Sequence, residues 1–335
     1  MRAPGFWWKS RGPVAALLAP VGAIYGIVAA ARMQRAGERA GVPVVCIGNP
    51  TLGGAGKTPT ALALAQLLKA LGERPFFISR GYGGRARGPV RVDVQRHDAR
   101  AVGDEPLLLA RAFPTVVARD RVAGAKLAEQ EGASVVVLDD GFQNPALEKD
   151  LALLVVDGMS GVGNGRVFPA GPLRAPLGPQ LERAQGIVIV GAGAAGATVA
   201  EIAAGMGIAA LGARLMPDPA VAAKLSRKSV LAFAGIGHPE KFFATLAETG
   251  AEIIDRRVFA DHHFYSAGDA AALLAIVRAR GLLPVTTEKD QARMAGDPAL
   301  AELASVTRAL PVRLVFEDEA AVRALLQRAL TRARG

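Results

Sequence analysis

The stretch "CIGNPTLGGAGKTPTALALAQLLKALG", Cys46 to Gly72, decides the fold. An apolar run ends at Gly48, a Gly-rich turn follows, and a regular apolar pattern opens at Gly56, Lys57 and Thr58. Strand, Gly-rich turn and helix in that order are the context a phosphate-binding loop requires. The loop comprises Thr51, Leu52, Gly53, Gly54, Ala55, Gly56, Lys57 and Thr58. Its glycines let backbone N–H groups converge on phosphate oxygens where a Cβ would obstruct. Lys57 is placed to reach the β and γ phosphates, and Thr58 offers its hydroxyl to Mg²⁺. The helix start adds partial positive charge. One position departs from G-x-x-x-x-G-K-[ST]: its first Gly is Thr51 here. An ordinary Gly-rich turn is the plain alternative; the Lys-Thr pair at a helix start argues against it.

A phosphate loop needs an acidic element for its metal, normally at the end of a neighbouring strand. "SVVVLDDGFQN" supplies Asp139 and Asp140 there. One carboxylate would hold Mg²⁺ directly or through water, and the other would polarise nearby groups. A strand-end Asp capping a turn is common singly and less so in pairs. The guanine-reading N-K-x-D pattern is absent, since "TEKD" (Thr287–Asp290) has Asp directly after Lys, so ATP is favoured over GTP. A rival dinucleotide fingerprint lies at Gly191, Gly193 and Gly196. The acidic residue expected about twenty positions on is missing from "LGARLM", which argues against NAD(P).

Apolar runs bounded by Gly, Pro or Asp recur ("VPVVCIG", "PFFISRG", "SVVVLDDG", "LALLVVDG", "GIVIVG") with helical patterns between them. Alternation of this kind predicts an α/β fold, a P-loop-type parallel sheet wrapped by helices. Pro and charge accumulate at Leu215–Lys228, and a smaller αβ set follows. The expected organisation is an N-terminal apolar helix (1–40), a nucleotide-binding core (41–220) and a smaller C-terminal α/β domain (221–335), with a linker near 216–228.

The 335 residues carry a net charge of +10 and one cysteine, Cys46. A disulfide framework and a Cys-based metal site are excluded, and a reducing compartment is expected. The basic balance suits nucleic acid, anionic membrane or a phosphorylated substrate. Aromatics are only 5% and are not interleaved with Lys/Arg, which weighs against nucleic acid. Val14 to Ala31 is 18 residues without charge, a helix of about 27 Å. Trp7, Trp8, Lys9 and Arg11 precede it; Arg32, Arg35 and Arg39 follow. These flanks suit an interfacial helix with Trp at the headgroups, while Pro20, Gly22 and Gly26 weaken it as a straight span. A signal peptide would export a nucleotide-binding loop to a compartment without ATP. A buried core helix is the other competitor. The reading adopted is a membrane-surface anchor on the cytosolic side, spanning or lying flat.

Other polar clusters discriminate among a kinase, a transporter motor and an ATPase switch. They are "VGDEP" (Asp104, Glu105), "FADHHFY" (Asp261, His262, His263), "SRGYGG" (Arg80, Tyr82), "ARDR" (Arg119, Arg121) and "GNGRVFPAGPLRAP" (Arg166, Arg174). Together with "GNPTLGGAGKTP", "DDGFQN" and "TTEKD", in this order after an apolar helix, they resemble the tetraacyldisaccharide 4'-kinase family of lipid A biosynthesis, over nearly the whole chain. Thr51 in place of the first Gly is also usual for that family.

The resemblance implies phosphoryl transfer from ATP, with Mg²⁺, to the 4'-hydroxyl of a tetraacylated glucosamine disaccharide 1-phosphate, at the cytosolic face of the inner membrane. It implies Asp104 and His262 as a dyad activating the sugar hydroxyl, one from each domain, with His262 rather than His263 matching. Lys57 joins them at the reacting phosphate, and Asp139 and Asp140 become the metal-side acids. Arg121 and Arg174 become contacts for phosphate or lipid headgroup, and Arg80 and Tyr82 join them as substrate-side groups. No nucleic acid and no obligate protein partner are expected. Two other readings stay in view: a membrane-associated P-loop ATPase switch, and a non-catalytic nucleotide-binding scaffold.

Overall fold

The computed structural model describes residues 4–9 and 12–335; the flanking Arg11 lies outside them. Among the described residues, thirteen strands form two sheets. The first contains β1 (Val44–Gly48), β2 (Pro75–Ser79), β3 (Val90–Arg91), β4 (Thr115–Val117), β5 (Val135–Asp139), β6 (Leu151–Asp157), β7 (Gly186–Val190) and β8 (Ala209–Pro217). The second contains β9 (Ser229–Ala234), β10 (Glu252–Val258), β11 (Leu283–Thr287) and β12 (Arg308–Leu310). A last strand, β13 (Val312–Phe316), returns to the first sheet.

The first sheet runs β13-β8-β7-β6-β1-β5-β2-β4-β3, parallel except at its two edges. Central β1 is buried on both faces, as its unbroken apolar run dictates. Successive side chains point to opposite sides: Val45 and Ile47 join the core under the helix Lys57–Ala70, while Val44 and Cys46 join the core on the other face. The helix Lys57–Ala70 buries Ala61, Leu64, Ala65 and Leu68, the one-face spacing of an amphipathic helix. Burying Leu64 and Leu68 contributes about 2–3 kcal/mol each and seats the helix start at the end of β1.

The second domain is smaller than expected. Residues 312–335, assigned from sequence to the C-terminal domain, belong to the first sheet. β13 pairs antiparallel with β8, and the helix Glu319–Arg334 buries Val322, Leu326 and Leu330 in the same core as the helix Lys57–Ala70. Without β13 the edge of β8 would present unpaired backbone groups. The expected linker is ordered: β8 runs to Pro217, and Asp218 caps a short helix, Pro219–Leu225. The chain's two crossings between sheets are joined by a hydrogen bond from Asp218 N to the Pro311 carbonyl, 2.9 Å.

The N-terminal apolar segment is one helix, Pro13–Met33, long and apolar enough to cross a membrane. Gly22 and Gly26 let it lie close against the loop before residue 177. A Cβ at Gly22 would stand 2.7 Å from the Val167 carbonyl. The large side chains point away, with Leu17 80% and Ile27 70% exposed. Trp7 departs from its expected headgroup role: it is buried and donates from Nε1 to the Pro169 carbonyl at 3.0 Å.

Candidate active site

The loop after β1 has the backbone a phosphate cradle needs. Gly53 and Gly56 have φ of 125° and 88°, values that side-chain-bearing residues rarely adopt. Thr51 needs no such freedom. It forms a bridge with Leu173, and Leu52 N donates to the Pro172 carbonyl at 2.7 Å, so the entry to the loop is extended. Lys57 heads the helix, and its Nζ donates to Asn49 Oδ1 at 3.1 Å. Asn49 in turn donates to the Gly53 carbonyl at 2.9 Å and so holds the loop's curvature. Thr58 is buried one residue on.

The two acids after β5 have opposite surroundings. Asp140 receives both terminal nitrogens of Arg174 at 2.9 and 3.1 Å, and Lys57 Nζ lies 3.8 Å away. Burial opposes its charge, but Lys57 and Arg174 outweigh it and hold the carboxyl below its ordinary range. Asp139 is buried with neither oxygen hydrogen-bonded. Burial, reinforced by Glu105 and Asp140, raises it to about 7. An orphaned carboxylate at the end of β5 fits a hard divalent cation, and the buried Thr58 at the helix start offers a second oxygen. Among the described residues no three His, Cys, Asp or Glu side chains converge on one point. That suits Mg²⁺, which takes one or two carboxylates and completes its shell with phosphate and water.

The second domain delivers the remaining chemistry. His262 Nδ1 stands 3.5 Å from Asp104 Oδ2, and Tyr82, 64% exposed, tilts over the imidazole at 4.9 Å between ring centroids. His263 turns the other way, to Asp269 at 3.1 Å and onto the Phe259 ring. His262 and Asp140 both sit at positive φ (56° and 55°), two of the three non-glycine residues that do so among those described. Such backbone costs of order 1–3 kcal/mol, and here it aims side chains into the site. The hydrogen bond with Asp104 raises the His262 imidazole, against burial. Burial would raise Asp104, but the His262 bond, Arg293 and Lys289 hold it well below the carboxylate range.

Two expectations about arginines change. Arg121 is buried, its Nη1 donating to the Ala118 carbonyl, and Arg174 spends its fork on Asp140 and its Nε on the Thr51 carbonyl. Neither presents a free guanidinium to a headgroup. Arg80 is exposed beside Tyr82. The rival fingerprint has a packing explanation: a Cβ at Gly193 or Gly196 would stand 2.3 or 2.6 Å from Gly158 backbone atoms, so these glycines seat a helix against the turn after β6.

Sequence reasoning missed a set of charges on the helix Glu288–Met294. Lys289 Nζ donates to Glu105 Oε1 at 2.6 Å, and Arg293 Nε to Asp104 Oδ2 at 2.7 Å. Glu105 and Lys289 lay inside quoted motifs, and Arg293 follows Lys289 by one helical turn. That spacing was the available signal.

A Gly-rich phosphate loop, an unpaired acid at the end of the adjacent strand and an acid–imidazole pair completed by a second domain define the class: a P-loop α/β nucleotide-binding protein. A family model described as Tetraacyldisaccharide-1-P 4'-kinase matches residues 14–331. A tetraacyldisaccharide 4'-kinase from Rhodopseudomonas palustris (strain BisB18) is 56% identical over 334 residues, covering 100% of this chain and 97% of its own length. The Nitrobacter winogradskyi enzyme is 52% identical, covering 100% and 99%. The crystal structure of Aquifex aeolicus LpxK in complex with ATP has a TM-score of 0.73 at 26% identity, covering 95% of this chain and 99% of that one. The chain belongs to the tetraacyldisaccharide 4'-kinase family.

Proposed function

We infer that this chain transfers the γ-phosphoryl group of ATP to the 4'-hydroxyl of a tetraacyldisaccharide 1-phosphate in lipid A biosynthesis. The observation that carries the reading is the Asp104–His262 pair, which the two domains complete together. Water and a sugar hydroxyl must each lose a proton on attack, but a proton-accepting pair assembled from two domains suits a bulky acceptor that enters between them. The hydroxyl oxygen attacks the γ phosphorus, the bond to the β,γ-bridging oxygen breaks, ADP leaves, and the hydroxyl proton passes to the pair. With Nδ1 turned to Asp104, the Nε2 lone pair of His262 is the one open to a proton, and the imidazole is the member nearer neutral pH. Proton acceptance therefore moves to His262, with Asp104 orienting it. General-base help is worth about 10²–10⁴-fold.

Lys57 and the loop amides hold the β and γ phosphates. Asp139 and Thr58 would hold Mg²⁺, which when bound neutralises charge on the phosphates. Asp140, locked by Arg174 and near Lys57, fixes the lysine's reach.

The exposed apolar face of the helix Pro13–Met33 supports binding at a membrane surface, where a four-chain lipid resides. The inner membrane's cytosolic face, where ATP is available, is the proposed setting. The test is transfer of labelled γ-phosphate to tetraacyldisaccharide 1-phosphate in detergent micelles. Wild type and Asp104→Asn are compared, with lipid-free hydrolysis as control. Labelled lipid from wild type alone is expected; hydrolysis without labelled lipid would replace this reading with the ATPase switch.

A further inference from the structure

Arg293 belongs to the second domain and is almost wholly buried, yet the carboxylate it grips belongs to the first. Its Nε donates to Asp104 Oδ2 at 2.7 Å, the same oxygen that faces His262, and Nη2 stands as close to that oxygen without making a hydrogen bond. Among the described residues, Asp104 Oδ1 is left with only the Glu105 backbone amide, 3.0 Å away. Behind it the guanidinium is itself held: Nη1 donates to Asp290 Oδ1 and to the Gly235 carbonyl, both at 2.8 Å. Asp290 is fixed in turn by Tyr265 Oη at 2.8 Å, Gly235 N at 3.0 Å and Thr287 Oγ1 at 2.6 Å. The Gly235 carbonyl also accepts from His262 N at 3.0 Å, so guanidinium and imidazole share one backbone anchor.

We propose that Arg293 is a positioning residue for phosphoryl transfer: it pins one oxygen of Asp104 so that the carboxylate stays ionised, oriented and in register with His262 when the domains meet. This rests on the reading of Asp104 and His262 as the proton-accepting pair. A guanidinium suits the task because its planar fork fixes direction as well as charge, which an ammonium does not. A chain of this kind is a weak source of stability, because each buried charge loses its hydration; orientation is the stronger reason for its form. Every charged group facing Asp104 enters the account. His262 and Asp261 come from the loop after β10, and Lys289, Asp290 and Arg293 from the helix Glu288–Met294. Glu105 lies on Asp104's own helix.

The test compares Arg293→Met, Arg293→Lys and Asp290→Asn in the full-length enzyme, measuring kcat, the KM for ATP and the pH at which kcat falls on the acid side. Arg293→Met is expected to lose kcat by about 100-fold with the KM for ATP within about two-fold. Its acid limb should move up, since a cation that opposes protonation of His262 is gone. Arg293→Lys keeps the charge without the fork, so its limb stays at the wild-type pH while kcat falls about ten-fold. Asp290→Asn removes the counter-charge behind Arg293 and moves the limb down. A purely structural role would lower kcat in all three and move no limb; that result, or wild-type kcat in Arg293→Met, overturns the proposal. If Arg293→Met does not fold, the unmoved limb of Arg293→Lys with its roughly ten-fold lower kcat, set against the lowered limb of Asp290→Asn, decides. Full activity in Asp104→Asn would instead overturn the reading of the pair itself.

Discussion

Replacing Asp139 by Asn should make the ligand-free protein more stable and the enzyme nearly inactive. The two effects have one cause, a buried carboxylate with no partner of its own. Its ordinary value is 3.8, and burial raises it to about 7 in the folded chain. For a carboxyl whose folded value is raised, the charged form is a penalty on folding. The penalty is absent below the unfolded value near 3.8, grows as pH rises, and is complete above about 7. Three units at 1.36 kcal/mol each set a ceiling of about 4 kcal/mol. A buried Asn amide without partners returns about 1–3 kcal/mol of that.

The net expectation for Asp139→Asn is a gain of about 1–3 kcal/mol near pH 8 that turns into a loss of about the same size toward pH 4. Mg²⁺ with a nucleotide should reverse the order, because ligation stabilises only the chain that keeps the carboxylate. Thermal midpoints of both proteins, taken metal-free at about pH 8 and pH 5 and again with Mg²⁺-ADP, give the comparison. An Asn variant less stable than wild type in metal-free buffer at pH 8, or one stabilised equally by Mg²⁺-ADP, would refute the reasoning.

Asp104→Asn should lower kcat about 10²–10⁴-fold and move the acid limb to lower pH, because its bond is the main cause of the raised imidazole. A raised imidazole accepts a proton only when neutral, so wild-type activity falls as pH drops through a value above the ordinary range; kcat against pH reads both effects, and an unmoved limb counts against the pair. Joint Leu17→Glu and Ile27→Glu substitution should release the protein from anionic vesicles in flotation without lowering its melting point, since both side chains are exposed. Leu326→Ala should cost about 2–5 kcal/mol, and hydrogen exchange should show protection lost in the helix Lys57–Ala70 before β9–β12.

Local chemistry was legible in the sequence. Strand, Gly-rich turn and Lys-Thr at a helix start depend on residues within one short stretch, so the phosphate loop could be read directly, Thr51 included. The apolar helix was legible for the same reason, although the close contact its glycines permit was not, because Val167 and Pro176 lie far along the chain. The returning strand β13 was not legible. "PVRLVFED" has the alternation of an edge strand, and alternation says nothing of which sheet edge it closes. The partners that Arg121 and Arg174 have inside the protein were not legible, because nothing local shows the carboxylate and carbonyls that receive them.

Adjacent acids show most sharply where sequence reading stops. Asp139 and Asp140 are the same residue twice, and Asp104 and Glu105 are near-equivalents, yet each doublet is divided by partners from distant segments. Arg174 takes Asp140 and leaves Asp139 unpaired; Arg293 and His262 take Asp104, while Lys289 takes Glu105. The unpaired member suits a metal because nothing else satisfies it. The doubly held member suits orientation because it is charged and fixed. Those roles come from the partners, 34 positions away for Arg174 and 189 for Arg293. A motif can announce that acids are present; only the fold divides the work between them.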